Sequence, residues 1–150
     1  MSGRKRHSLV DTMGLIIKVR VHPADEPDGA GARPLLTALP ERLPRLQLIW
    51  VDGGYKKAFA TWVAETLGWT VTVVQHPDAG LRRVWVGPGQ APPERPSGFR
   101  VLPRRWVVER TFAWLGRHRR LSKDYEVLPE TEEAWIYLAM SRLMTVRLAR

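Results

Sequence analysis

The run from Leu46 to His76, LQLIWVDGGYKKAFATWVAETLGWTVTVVQH, decides the fold. Its opening, Leu46 to Asp52, is short and almost wholly apolar, the pattern of a strand buried on both faces. Gly53, Gly54 and Tyr55 turn the chain. Lys56 to Gly68 then spaces its apolar residues as an amphipathic helix, with Gly68 as its stop. Trp69 to His76 is a second β-rich run. Strand, helix and strand in that order predict a right-handed crossover between parallel strands. The chain is therefore expected to be α/β.

On the N-terminal side, HSLVDTMGLIIKVRVH reads as a hairpin. Leu15, Ile17, Val19 and Val21 alternate with Ile16, Lys18, Arg20 and His22, the period of a half-buried strand. Asp11 to Gly14 supplies the turn. PADEPDGAGARP reads as a loop, and LLTALPERLP as a short helix broken at Pro40. On the C-terminal side, residues 77–103 are rich in proline and glycine and predict an irregular excursion. Two helices follow. The first spans RRWVVERTFAWLGRHRRL. The second, ETEEAWIYLAMSRLMTVRLAR, carries acids in its first turn and arginines near its end, as the helix dipole favours.

Composition narrows the function. The 150 residues hold 24 Lys+Arg against 15 Asp+Glu, a net charge of +9, which favours a polyanionic partner such as nucleic acid. There is no cysteine, so disulfides and thiolate metal sites are excluded. No apolar run approaches the roughly 18 residues of a membrane span. The basic N-terminus lacks the apolar core of a signal peptide. A cytoplasmic, nucleoid-associated location is expected.

Two carboxylates stand in unusual places. Asp52 ends an apolar strand just before two glycines. Ligands of open α/β sheets gather beyond such strand ends, and a carboxylate there can hold Mg²⁺. It can equally cap the next helix. Glu109 is the one acid among the arginines of its helix. At about 100° per residue, Val107, Val108, Thr111, Trp114 and Leu115 share one arc. Arg105, Glu109, Gly116 and Arg120 share another, with Phe112 at the border. Flanking arginines favour the charged carboxylate that a metal needs, and they could grip phosphates. The other reading is an ordinary ion pair of Arg105 with Glu109, worth a few tenths of a kcal/mol. The four histidines show no metal-ligand spacing. Trp114 and Trp135 fall on apolar faces and read as core, whereas Trp106 is open to a base-stacking role.

Longer words add a resemblance. GRKRHSLVDTMGL, IWVDGGY, RRWVVERTFAWLGRHRRLSKDYE and EAWIYLAMSRLM, in that order, resemble the C-terminal half of DDE-type insertion-sequence transposases. The resemblance covers nearly the whole chain, and the block from Arg104 to Glu126 is the most specific part. It implies an RNase H-like mixed sheet flanked by helices. It also implies three acids that hold divalent metal, Mg²⁺ or Mn²⁺, for cleavage and strand transfer of DNA. By motif match Asp52 is the second acid and Glu109 the third, both catalytic and metal-binding. Arg105 matches an arginine expected on DNA phosphate, and Lys56, beside the DGGY word, is a further expected DNA contact. Leu102 stands where the family often has tyrosine. Gly116 stands where it often has lysine, a role that Arg117 or Arg120 would take over. The partners implied are the element ends and target DNA, and a homo-oligomer on DNA.

The family's first aspartate lies upstream of the GRKRH word, on the first, central strand of the sheet. Asp11 sits at the hairpin turn and does not replace it. Residues 1–150 are thus expected to be a partial catalytic domain lacking that strand, from a truncated or split transposase. It would need an upstream transposase half, or full-length transposase, as partner. Buried backbone groups left unpaired by the missing strand would cost about 1–3 kcal/mol each, against a domain stability of about 5–15 kcal/mol. Two other readings stay open: a non-catalytic DNA-binding remnant that regulates a full-length transposase, and an α/β domain whose basic face is merely solvated.

Overall fold

The computed structural model describes residues 3–37, 39–55, 57–74 and 104–149; the excursion expected at 77–103 lies outside them. Strands β1 (Arg4–Val10) and β2 (Ile16–Pro23) form the expected antiparallel hairpin, with a bulge between Leu9 and Val10. Asp11 builds its turn: one carboxylate oxygen accepts the N–H groups of Met13 and Leu15, each at 2.8 Å. Gly14 follows with φ of +80°, and a Cβ there would lie 2.9 Å from the Thr111 hydroxyl. Only glycine meets both demands without strain.

Helix α1 (Asp28–Thr37) corrects the sequence reading. It begins inside the stretch expected to be loop and ends before Pro40. Asp28 supports its first turn, where a carboxylate meets the helix dipole. Pro34 lies inside the helix, at the cost of one backbone bond. Leu35 and Leu36 are buried, and that burial outweighs the unfavourable glycine and proline content.

The crossover unit is as expected. Strand β3 (Leu48–Asp52), helix α2 (Lys57–Leu67) and strand β4 (Thr70–Val74) follow in order, with β3 and β4 parallel and Leu48 opposite Thr70. Burial of β3 on both faces is not seen. Only Ile49 is buried, and Trp50 is 40% exposed. The reason is topological: β3 belongs to a sheet of two strands, and one flank opens onto a cleft.

Helix α3 (Arg105–Gly116) buries Val107, Thr111 and Leu115, the arc expected from its periodicity. It stops at Gly116, so Arg120 lies beyond it, in a separate 3-10 turn from Arg119 to Leu121. Helix α4 (Pro129–Leu148) opens with proline and two acids. Its Tyr137 and Glu133 side chains accept the N–H groups of Val19 and Val21, at 3.0 and 2.7 Å. One edge of β2 is thereby closed by side chains.

Among the described residues the chain is thus a mixed α/β protein with two separate two-stranded sheets, β1–β2 and β3–β4. The buried residues form two clusters, and Leu9 and Ile17 of the hairpin pack against the first of them. Ala32, Leu35, Leu36, Ile49, Phe59 and Val63 pack in the first, and Val19, Val21, Leu115, Leu121, Ile136 and Ala139 in the second. The second core is tied by a buried acid. Glu132, 2% exposed, pairs with Arg6 of β1 and lies 3.8 Å from Arg4.

Candidate active site

Between the two sheets runs a cleft of about 460 Å³, bordered by Lys5 to Leu9 of β1 and Ile49 to Asp52 of β3. No hydrogen bond joins these two strands, since each pairs only within its own sheet. Val19 and Val21 point their N–H groups away from β1 and lie opposite Ser8 and Arg6. Antiparallel alternation therefore turns the backbone groups of Arg6 and Ser8 to the outer edge of β1. The Ser8 hydroxyl is itself buried and unpaired among the described residues.

Asp52 stands at the C-terminal tip of β3, where the sequence placed it, and its carboxylate accepts the Gly54 N–H at 2.9 Å. Glu109, on the exposed side of α3, lines the same cleft. Strand tip and helix flank, far apart in sequence, so meet at one opening. Asp28, the first residue of α1, is a third carboxylate there. A Cβ on Gly54 would lie 2.8 Å from one Asp28 oxygen and 3.0 Å from one Asp52 oxygen, so both acids flank the same bare backbone. Lys5 binds Asp28 at 2.9 Å. The sequence reading missed Asp28 because its segment read as a loop. An acid after proline, ahead of an alanine- and leucine-bearing run, was the available helix-start signal.

The polar wall of the cleft is electrostatically uneven. Burial, and then the charges of Asp52 and Asp28, push the Tyr55 phenol well above its ordinary range, so it stays protonated. Burial, and then the neighbouring His22, hold His7 below its usual 6.5. The two imidazoles are joined by a 3.1 Å hydrogen bond, and His22 is fully buried.

The remaining sequence candidates are scattered. Arg105 begins α3, but its side chain lies outside the described residues, as does Lys56. Arg117 caps the C-terminus of α3, exposed and away from the cleft lining. Arg120 pairs with Glu126 at 3.0 Å and lies over the Trp135 ring, also away from it. Among the described residues, no group of three or more His, Cys, Asp or Glu is gathered closely enough to hold a metal ion. The donors that line the cleft are carboxylates, a type that suits a hard divalent cation.

The family model described as transposase DDE domain matches residues 1–144. The chain belongs to the DDE transposase family. Searches of curated proteins and of solved structures gave no match. Membership of the DDE transposases implies an enzyme family that performs phosphoryl transfer on DNA with divalent metal. No helix among the described residues is long and apolar enough to cross a membrane.

Proposed function

We propose that the chain is the metal-binding and DNA-binding part of an insertion-sequence transposase that cleaves DNA strands and transfers the freed 3′ ends. One observation carries this reading: in a DDE-family chain, Asp52 and Glu109 line one cleft from a strand tip and a helix flank. Asp52 and Glu109 would hold Mg²⁺ or Mn²⁺, which when bound supplies Lewis-acid stabilisation of the reacting phosphate and an activated nucleophile. The carboxylates contribute charge at fixed positions. Arg105, Arg117, Arg120 and Lys56 would contact DNA phosphates.

The open edges of β1 and β3 support a second part of the proposal. An extended segment lying between them would pair with both and join the two sheets into one RNase H-like sheet. It would carry the third acid. The segment could come from the same longer polypeptide or from a partner transposase chain. Assembly on DNA as a homo-oligomer fits such sharing.

The test is cleavage of a duplex bearing the element ends, with the segment upstream of this chain supplied fused or in trans, in Mg²⁺ or Mn²⁺. Asp52→Ala and Glu109→Ala are each expected to abolish nicking while leaving DNA affinity within about threefold. Nicking by both variants overturns the assignment. Salt-sensitive DNA binding without nicking in any combination favours the other function, a DNA-binding regulator of a full-length transposase.

A further inference from the structure

Beneath helix α1 lie two imidazoles to which the proposed metal site gives no role. His7 Nδ1 and His22 Nε2 are 3.1 Å apart. The outer nitrogen of His22, Nδ1, lies 2.9 Å from the Pro23 carbonyl and 3.1 Å from a Glu26 carboxylate oxygen. The outer nitrogen of His7, Nε2, lies 3.9 Å from Asp28. The Gly31 carbonyl also raises the proton affinity of His7. Both ends of the pair thus face acceptors. A neutral imidazole carries one N–H. Two neutral rings therefore bring two protons to three links, one at each end and one between them, and one link is always unfilled. The pair also joins two different surroundings. His7 lines the cleft with Asp52 and Glu109, His22 is fully buried, and the Glu26 carboxylate is open to solvent. A Cβ on Gly31 would lie 2.6 Å from His22 Nε2 and 2.8 Å from His7 Cε1, so α1 can lie this close to the rings only with glycine there.

We propose that His7 and His22 form a proton path from the cleft to Glu26 at the surface, which removes the proton released when a DNA strand is cut; this rests on the cleavage reading above. In that cleavage water loses both protons. Its oxygen bonds to phosphorus, the bond from phosphorus to the departing 3′ oxygen breaks, and that oxygen takes up one of the protons. The diester carries one negative charge, and the 5′ monoester carries close to two at pH 7, its second pKa being about 6. The other proton is therefore left over in the cleft. It enters at His7 Nε2, the Nδ1 proton of His7 passes to His22 Nε2, and the Nδ1 proton of His22 passes to Glu26 and on to solvent. The surrounding charges suit this passage. Lys5 of β1 holds Asp28 at 2.9 Å, so one Asp28 oxygen stands fixed beside the His7 imidazolium that forms. Arg20 of β2 holds the other Glu26 oxygen at 3.1 Å and leaves the nearer one to His22. The Tyr55 ring, 6.1 Å from His7, stays protonated and adds no charge. Burial and the adjoining His22 keep His7 short of a proton at rest, ready to accept one.

The whole chain by itself gives the first test, nitrogen NMR of the imidazoles in metal-free buffer. At pH 7.5 the pair should hold two N–H protons. A third should enter as the pH falls to 4.5, in one step that moves the nitrogen shifts of both rings together. Separate steps for the two rings, no uptake at all, or a third proton already present at pH 7.5 overturns the path, and none of these needs a substitution that could unfold the protein. The second test is rate, in the cleavage assay above. Glutamine at position 22 can keep a hydrogen bond to His7 and does not hand a proton on. His22→Gln should therefore slow cleavage on the order of 10²-fold. Free imidazole, small enough for a cleft of about 460 Å³, should restore much of that rate by taking the proton there, which it would not do for a variant that had only lost its fold. An undiminished rate in His22→Gln overturns the path. Absence of nicking by the unaltered protein overturns the cleavage reading and with it the purpose of the path, while a coupled titration would still show the path itself.

Discussion

Around Phe59 and Val63 the molecule is held by apolar packing: α1 and α2 lay leucines, phenylalanine and valine against Ile49 of β3. Around Ile136 it is held by packing plus long polar ties. Arg6 reaches the buried Glu132, Arg4 donates to the backbone carbonyl of Glu126 at 2.8 Å, and Thr111 donates to that of Gly14 at 2.6 Å. The edges differ in the same way. On β2, side chains of α4 close the outer edge; β3 and the outer edge of β1 border an open cleft. Apolar packing tolerates small shifts because it has no direction. Charged hydrogen bonds between distant segments fix one arrangement, since an unpaired buried charge is so costly. The hairpin side is thus the fixed wall of the cleft and the β3 side the more yielding one, while both walls present unpaired edge groups.

The sharpest way to break this contrast is Arg6→Ala. It takes the nearer cation from buried Glu132, leaving Arg4 at 3.8 Å, and should cost up to about 3–5 kcal/mol, read as a lower midpoint in urea. A double change of Arg6 and Glu132 to apolar residues should recover much of that loss. Phe59→Ala should cost a comparable 3–5 kcal/mol or so on the other side. Amide exchange after Phe59→Ala should rise first in β3 and β4. Equal loss of protection in β2 and α4 would mean that the two cores unfold as one. Tyr137→Phe removes the acceptor of the Val19 N–H and should cost about 1–3 kcal/mol, with faster exchange at Val19 as its local mark.

The smallest expected effect is that of pH. The folded-state pKa of His7 lies below its ordinary 6.5, so the unfolded chain takes up the proton first. The contribution of neutral His7 is complete above about pH 6.5 and is lost as the pH falls below that value. Melting followed from pH 7.5 to 5.5 should show a fall in midpoint that shrinks in His7→Gln. An unchanged fall would place the pH sensitivity at another group that titrates in this range. Glu26 is not such a group: the Arg20 hydrogen bond lowers its pKa below 4.5, and its contribution is lost only in more acid solution.

Much of this was legible in the residues. The period-two run of β2, the Asp11 turn, the crossover from β3 to β4 and the charge-ordered α4 all follow from local pattern, because side-chain spacing dictates which face can be buried. The start of α1 was not legible. Its glycines and prolines argue for a loop, and only Leu35 and Leu36 packing against distant residues make it a helix. Trp50 misled in the opposite sense: an apolar run looks buried on both faces, yet whether it is depends on how many strands flank it.

By itself, then, the sequence determined the types and order of the elements, the basic charge, the family, and the positions of Asp52 and Glu109 at a strand tip and beside a helix stripe. The tertiary structure alone decided that Asp28 shares their cleft, that Arg6 finds Glu132, and that Trp50 and Trp106 stay open under arginines. Spacing along a chain fixes which way a residue faces on its own element. What it faces is set by packing between elements, and that is a property of the whole fold.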